Sequence, residues 1–220
     1  HGGGPMSRSI DTSVLIIGAG PVGLALAVEL GWRNIDCVVI DQHDGKLLLP
    51  RASGISVRTM EFCRRWGIVD QVKAAGFPEN FGLNIVFCTS LAGHLCERDD
   101  YPALGDMEAL AFSPENKYRC PQDMFDPVLE RAAIAYPHVR VQRKCRLESF
   151  VDTGEGVVAK ALLYENGLEY NFENDAKTAN AEAQGMKGEA LVIRAKYMVG
   201  CDGVNSGVRM ALGIGVDGSQ

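Results

Sequence analysis

Six residues constrain this chain more than any others: Gly18-Ala19-Gly20-Pro21-Val22-Gly23, set between an apolar run and an apolar helix-forming run. Ser13–Ile17 is β-branched and uncharged, the pattern of a strand buried on both faces of a parallel sheet. Pro21 to Trp32 then reads as a helix, and Ile35–Ile40 as a second buried strand closed by Asp41. Strand, helix and strand within about 30 residues form a βαβ unit. In the G-x-G-x-x-G spacing each glycine has its own task. Gly18 permits the tight turn, Gly20 lets backbone approach a pyrophosphate, and Gly23 allows close packing of helix on sheet. The helix N-terminus offers N–H groups and a positive dipole end to phosphates. Asp41, with Gln42 beside it, stands where an acid accepts hydrogen bonds from a ribose, and it disfavours a 2′-phosphorylated nucleotide. This unit alone leaves NAD and FAD open.

Other classes are excluded by composition. The 220 residues carry a net charge of −6, with 46% hydrophobic and 23% charged residues, so disorder and nucleic-acid binding both lack support. Seven dispersed cysteines and four separated histidines fit neither a disulfide framework nor a metal site, and point to a reduced, cytoplasmic protein. The uncharged stretch 14–28 is too short for a membrane span, and three glycines and a proline interrupt it. His1–Pro5 reads as a tag remnant before Met6.

Downstream, 43–53 reads as loop and Ser56 to Trp66 as a helix stopped by Gly67. Two strands are expected at Asn84–Thr89 and Leu91–Cys96, irregular chain over 98–118, and a helix from Asp123 to Ala135. The remainder reads as β: Val139–Gln142, Arg146–Asp152, Val157–Tyr164, Leu191–Ile193 and Tyr197–Cys201. Residues 173–188 read as an exposed loop, and a helix starts at Ser206. The fold class is therefore α/β: a Rossmann-like parallel βαβ sheet with a β-rich insertion, incomplete at the carboxy end.

Three segments select among flavin and nicotinamide readings. Leu49-Pro50-Arg51-Ala52-Ser53-Gly54 through Arg58-Thr59-Met60-Glu61, the Gln122 segment (YRCPQDMFDPVLE), and Tyr197 through Asp202-Gly203 to Ser206 and Arg209 resemble motifs of the FAD-dependent aromatic hydroxylases. These are single-component flavoprotein monooxygenases, and the resemblance is nearest to phenol and chlorophenol monooxygenases, helped by Phe87–Gly93. It covers residues 12–210. It implies that Gly18, Gly20 and Gly23, with the backbone of Pro21 and Val22, hold the FAD pyrophosphate and that Asp41 holds the ribose. Arg51 would approach the pyrophosphate and ribityl region, Gln122 the ribityl chain or flavin, and Asp202 the pyrophosphate. It further implies NADPH or NADH as transient reductant, O₂, a flavin C4a-hydroperoxide, a phenolic substrate and a homodimer.

The resemblance divides the chain into 6–82, the FAD-binding βαβ part; 83–118, a β-rich segment of the substrate domain; and 119–220, a return to the FAD-binding domain. A second flavin motif of the Gly-Asp-Ala-Ala-His type should follow the Asp-Gly segment and does not occur here. The chain is thus expected to be an amino-terminal fragment, inactive alone. Ser53 stands where some phenol hydroxylases carry an acid that helps deprotonate the substrate. An NAD-linked dehydrogenase and a non-catalytic FAD-binding fragment are the alternatives. Plainer roles stand beside these: an ion pair with Glu61 for Arg58, a helix start for Gln122, a strand-ending turn for Asp202-Gly203, and burial for Cys37 and Cys201.

Overall fold

The computed structural model describes residues 8–47, 49–165 and 188–218. The expected tag remnant lies outside these residues, as does the expected loop over 173–188 save Gly188, which is strand. Two compact units divide the chain, one formed by the residues up to Leu49 with those from Leu129 onward, the other by Pro50–Val128.

The first unit is built on a six-stranded sheet. Its strands are β1 (Arg8–Ile17), β2 (Cys37–Ile40), β7 (Val139–Gln142), β8 (Cys145–Asp152), β9 (Val157–Tyr164) and β10 (Gly188–Gly200). They lie in the order β7-β2-β1-β10-β9-β8. The first four run parallel, and β9 and β8 continue antiparallel from β10. Helix α1 (Pro21–Trp32) connects β1 to β2. The alternation of strand side chains sorts the core into two faces. Leu15, Ile17, Val38 and Ile40 join Ala159, Ala161, Leu191 and Ile193 on one face, under Val208. Ile16, Cys37 and Val39 point the other way and are also fully buried, as are Leu24, Ala27 and Val28 of α1. The near-continuous apolar strands thus have both faces covered, which is why they read as unbroken hydrophobic runs.

Several boundaries move for identifiable reasons. β1 begins five residues before Ser13, because Arg8–Thr12 pair in register with Leu191–Ala195. β2 begins at Cys37 rather than Ile35. The carboxylate of Asp36 is taken up by the Ser13 hydroxyl and N–H (2.5 and 2.7 Å) and the Thr12 hydroxyl (3.0 Å), which pins the strand entry to β1. The two late strands expected at 191–193 and 197–201 are one. Arg194 and Lys196 fall on exposed positions of a continuous alternation and do not interrupt it.

The second unit contains β3 (Gly54–Ile55) paired with β6 (Tyr118–Arg119), and the hairpin β4 (Ile85–Cys88) with β5 (Leu95–Asp99). Its helices are α2 (Val57–Arg65), capped by the Ser56 hydroxyl, and α3 (Val69–Ala75). Gly67 follows α2 with φ +71°, the left-handed stop expected there. β5 starts at Leu95 rather than Leu91, because Thr89 N–H to His94 and Gly93 N–H to Ser90 close a turn over 89–94. α3 had no sequence counterpart. Helix α4 (Gln122–Ile134) spans the boundary between the units. In the first unit, α5 (Gly207–Ala211) is capped by Ser206.

Candidate functional site

The chain leaves β1, crosses by α1 to β2, reaches β7, and returns on the other side of β1 as β10. The carboxyl ends of β1 and β10 therefore form the point at which strand order reverses, the place where open α/β sheets bind ligands. Both expected motifs meet there. Gly18 N–H donates to Ile40 C=O (2.8 Å) and Cys201 N–H to Ile17 C=O (2.7 Å), so the glycine turn and the Asp202 turn are anchored to adjacent strand ends.

The three glycines of the turn divide by what surrounds them. A Cβ on Gly18, which has φ +102°, would stand 2.5 Å from the Cys201 carbonyl oxygen; one on Gly23 would stand 1.9 Å from that of Gly18. The fold itself demands both. Gly20 differs: a Cβ there would meet nothing within 4 Å, and its backbone is extended, open to any residue. Nothing in the protein's packing requires Gly20 to be bare, whereas a pyrophosphate resting on the turn would. No side chain caps α1, and no acid lies in its first turn. The N–H groups of Val22 and Gly23 lie in the first turn, where no carbonyl of the helix precedes them to accept, at the positive end of the helix dipole beside a Val22 that is 67% exposed. The turn fits a dinucleotide phosphate on this observation.

Asp41 lies at the tip of β2. Its carboxylate accepts from Ala19 N–H (2.7 Å) and His43 N–H (2.8 Å), with His43 Nδ1 at 3.3 Å. Burial works against its charge, but hydrogen bonds from His43 and Ala19 outweigh burial and hold the carboxyl below the usual range. It is an anion with two lone-pair directions already used. Arg143, absent from the sequence reading, follows β7 and stands between two carboxylates, Asp41 at 3.8 Å and Glu130 at 2.7 Å. Its buried Nε has no hydrogen-bond partner, and its guanidinium packs where a Cβ on Gly45 would fall. The signal for it was positional: a cation one residue past a parallel strand, beside the acidic strand tip. Gln42 is half-buried in the Asp41–His43 turn.

The Asp202 carboxylate is turned inward. It accepts from the Ser206 hydroxyl and from Val208 N–H (3.1 Å), while the Ser206 oxygen accepts from Arg209 N–H (3.0 Å). Asp202 thus shapes the turn and fixes the start of α5. In the second unit, Arg51 is exposed. Gln122 N–H donates to Ala52 C=O (2.9 Å), tying the Arg51 loop to the start of α4, and Gln122 Nε2 donates to Asp126 (3.1 Å). The Arg58–Glu61 pair forms at 2.7 Å, and Ser53 Oγ accepts from Arg119 Nη1 at 3.2 Å. His138 Nε2 lies 3.1 Å from the Gly31 carbonyl oxygen. Among the described residues no cluster of metal-ligating side chains forms, and no helix is long and apolar enough to cross a membrane.

A glycine turn at the switch point of a parallel sheet, an open helix N-terminus and an acid on the neighbouring strand define a dinucleotide-binding domain. Comparison with known proteins narrows the class. A family described as FAD binding domain matches residues 11–174 and 164–220, and the chain belongs to it. It is 29% identical to tetracenomycin B2 monooxygenase-dioxygenase of Streptomyces olivaceus, over 93% of this chain and 36% of that protein. It is 30% identical to phenol 2-monooxygenase of a Pseudomonas species, over 93% of this chain and 30% of that protein. Among solved structures it resembles the substrate-free rebeccamycin biosynthetic enzyme RebC, with TM-score 0.76, 32% identity, and 94% of this chain against 36% of RebC. It also resembles the flavin-dependent monooxygenase PieE in complex with FAD and substrate, with TM-score 0.76, 27% identity, and 98% of this chain against 34% of PieE. The chain thus spans about a third of the length of these relatives.

Proposed function

We propose that the chain is the FAD-binding portion of a cytoplasmic, NAD(P)H-dependent monooxygenase that hydroxylates a phenolic aromatic compound. The single observation that carries this reading is the contrast within the glycine turn. Two glycines are fixed by packing, and the third lies bare over open space beside an uncapped helix N-terminus.

This reading gives each group a role. The Val22 and Gly23 N–H groups receive pyrophosphate oxygens over Gly20, with Pro21 presetting the first helical turn. The Asp41 carboxylate, already ionised, takes a ribose hydroxyl with the lone pairs that Ala19 and His43 leave. Gln42 borders the same ribose. Arg51 supplies a cation toward the phosphates, and Gln122 holds the Arg51 loop through Ala52. Asp202 acts as a positioning residue through Ser206 and Val208. Bound flavin supplies the redox chemistry and the activation of O₂, and the protein's task is to orient it and exclude water. Ser53 bonds to Arg119 and carries no acid, so the substrate hydroxyl must find its base elsewhere.

The test is a visible spectrum of the purified chain reconstituted with FAD, followed by identification of the released nucleotide. A retained flavin, identified as FAD, supports the reading. A chain that retains NAD and refuses FAD overturns it in favour of a nicotinamide-linked dehydrogenase.

A further inference from the structure

FAD and the nicotinamide dinucleotides share an adenosine diphosphate half, and NADPH differs in that half only by a phosphate on the adenosine ribose. A flavin site bathed in NADPH needs a means of refusing it, and the tip of β2 holds one. Backbone fixes Asp41 and Arg143 side by side there. Asp41 N–H donates to Gln142 C=O (3.0 Å), Cys145 N–H to Asp41 C=O (2.8 Å), and Lys144 N–H to His43 C=O (3.1 Å). The guanidinium lies against the bare backbone of Gly45, where a Cβ would stand 3.0 Å from its Nε and 3.1 Å from its Cζ. All of these residues, and Glu130 of α4, belong to the first unit.

A cation beside a ribose-binding acid would by itself invite a 2′-phosphate, which arginine accommodates in dinucleotide sites. Here the cation is already committed. Arg143 Nη2 donates to Glu130 Oε2 at 2.7 Å, whereas Nη1 stands 3.8 Å from Asp41 Oδ2, beyond hydrogen-bond range. The side chains are largely covered, with 17% of Arg143, 12% of Asp41 and 30% of Glu130 exposed, so salt screens them less than surface charges. Two carboxylates and one guanidinium leave the cluster a single negative charge. Of the neighbouring charges, Asp44 and Lys46 pair with each other at 3.5 Å, and Lys144 turns its Nζ to the Glu165 carbonyl oxygen (3.1 Å).

We propose that Glu130, acting through Arg143, is a positioning residue that sets the specificity of the adenosine site. By taking up the guanidinium it keeps the tip of β2 net negative. The site then admits a ribose with a free 2′-hydroxyl and refuses one whose 2′-phosphate brings about two further negative charges. This rests on the dinucleotide role of the glycine turn and of Asp41, and holds whether the bound dinucleotide is FAD or NAD. In the proposed hydroxylase its consequence is that NADPH cannot occupy the flavin site.

The experiment titrates ADP-ribose and 2′-phospho-ADP-ribose into the flavin-free full chain by calorimetry, with FAD titrated separately into the same preparation. Because His43 Nδ1 stands 3.3 Å from Asp41, the comparison is made at about pH 8, where imidazole is uncharged. ADP-ribose should bind at least about ten-fold tighter than its 2′-phosphorylated form at low salt, a preference that shrinks as salt rises to about 0.5 M. Glu130→Gln, nearly isosteric and partly exposed, should cut the preference to within about three-fold while ADP-ribose affinity stays within about two-fold. Arg143→Met should widen it. Glu130→Gln combined with Arg143→Met returns the cluster to one negative charge and should restore the original preference, a recovery that damage to the fold cannot produce. Equal affinity for the two probes, no saturable binding of either, a preference unmoved by Glu130→Gln, or a double variant that stays at the Glu130→Gln level overturns the proposal. Failure of FAD to bind where ADP-ribose binds overturns the flavin reading alone, and the two probes still decide this one.

Discussion

Replacing Gly20 and Gly23 one at a time should separate what the fold needs from what the nucleotide needs. Gly20→Val places a branched side chain at the N-cap of α1, where the backbone is extended and a Cβ meets nothing within 4 Å. The cost to the ligand-free protein is that of a poor N-cap, about 1 kcal/mol. In a chain of this length that lowers Tm by roughly 2–4 °C. The ligand loses far more. A valine over the turn lifts the pyrophosphate off the Val22 and Gly23 N–H groups, and hydrogen bonds to a charged partner contribute about 1.5–3 kcal/mol each. Loss of two raises the FAD dissociation constant about 10² to 10⁴-fold. Gly23→Ala reverses the ranking. Its methyl would overlap the Gly18 carbonyl oxygen at 1.9 Å, a contact against backbone that no rotamer relieves. Overpacking of that kind costs about 1–3 kcal/mol or more, hence a Tm drop of up to about 12 °C. Thermal denaturation and FAD fluorescence quenching on both variants give the four numbers. A Gly20→Val chain that retains stoichiometric FAD after gel filtration refutes the assignment, and so does one that melts as low as Gly23→Ala.

Asp41→Ala should lower FAD affinity by roughly one to two decades, since it removes a charged acceptor, and an unchanged dissociation constant sinks its ribose role. Asp41 and Asp36 both have carboxyls held below their usual range, Asp36 chiefly by the Ser13 hydroxyl and N–H. A lowered folded-state pKa contributes stability above the unfolded value, about 4, and loses it as pH falls through the folded values. The Tm should therefore decline below about pH 4, with a shallower decline in Asp36→Asn. Burial pushes the Cys37 and Cys120 thiols up to about 11 and those of Cys63 and Cys145 up to about 12. At pH 8 a disulfide reagent should titrate Cys88 and Cys96, the exposed pair, well before the rest; fast reaction of four or more would contradict the packing. Gly31→Ala should destabilise by about 1–3 kcal/mol, because its methyl would meet the Tyr136 ring at 2.4 Å, as a thermal melt would show.

Periodicity carried the centre of the sheet because the ends of β1 and β2 are buried on both faces and show no polar residue to confuse the pattern, and β7 and β9, each with a single exposed position, were legible to the residue. It failed where one face is wet. Arg8–Thr12 are half-polar, and pairing with Leu191–Ala195 makes them strand. α3 is seven residues with no side-chain cap, too short for its periodicity to register. At the site, the glycine spacing and Asp41 were visible because each is a local requirement of a turn or a strand tip. Arg143 was not, since what marks it is the pair of carboxylates it stands between, Asp41 and Glu130, and that arrangement exists only once the chain is folded. The inward turn of Asp202 was equally hidden: a sequence shows an acid before a glycine, not which N–H groups will claim its oxygens.

The length of β10 has a further consequence for how the first unit comes apart. Thirteen residues of one strand hydrogen-bond to β1 on one side and β9 on the other. The antiparallel meander therefore cannot detach without stripping half of the bonds from the strand that also holds the glycine turn in place. Amide protons of Leu191–Ala195 should exchange with solvent only through global opening, and those of Val157–Ala161 at nearly the same rate, so that the unit behaves as one cooperative block. Binding a nucleotide at the ends of β1 and β10 would then slow exchange in the meander as well, at amides that never touch it.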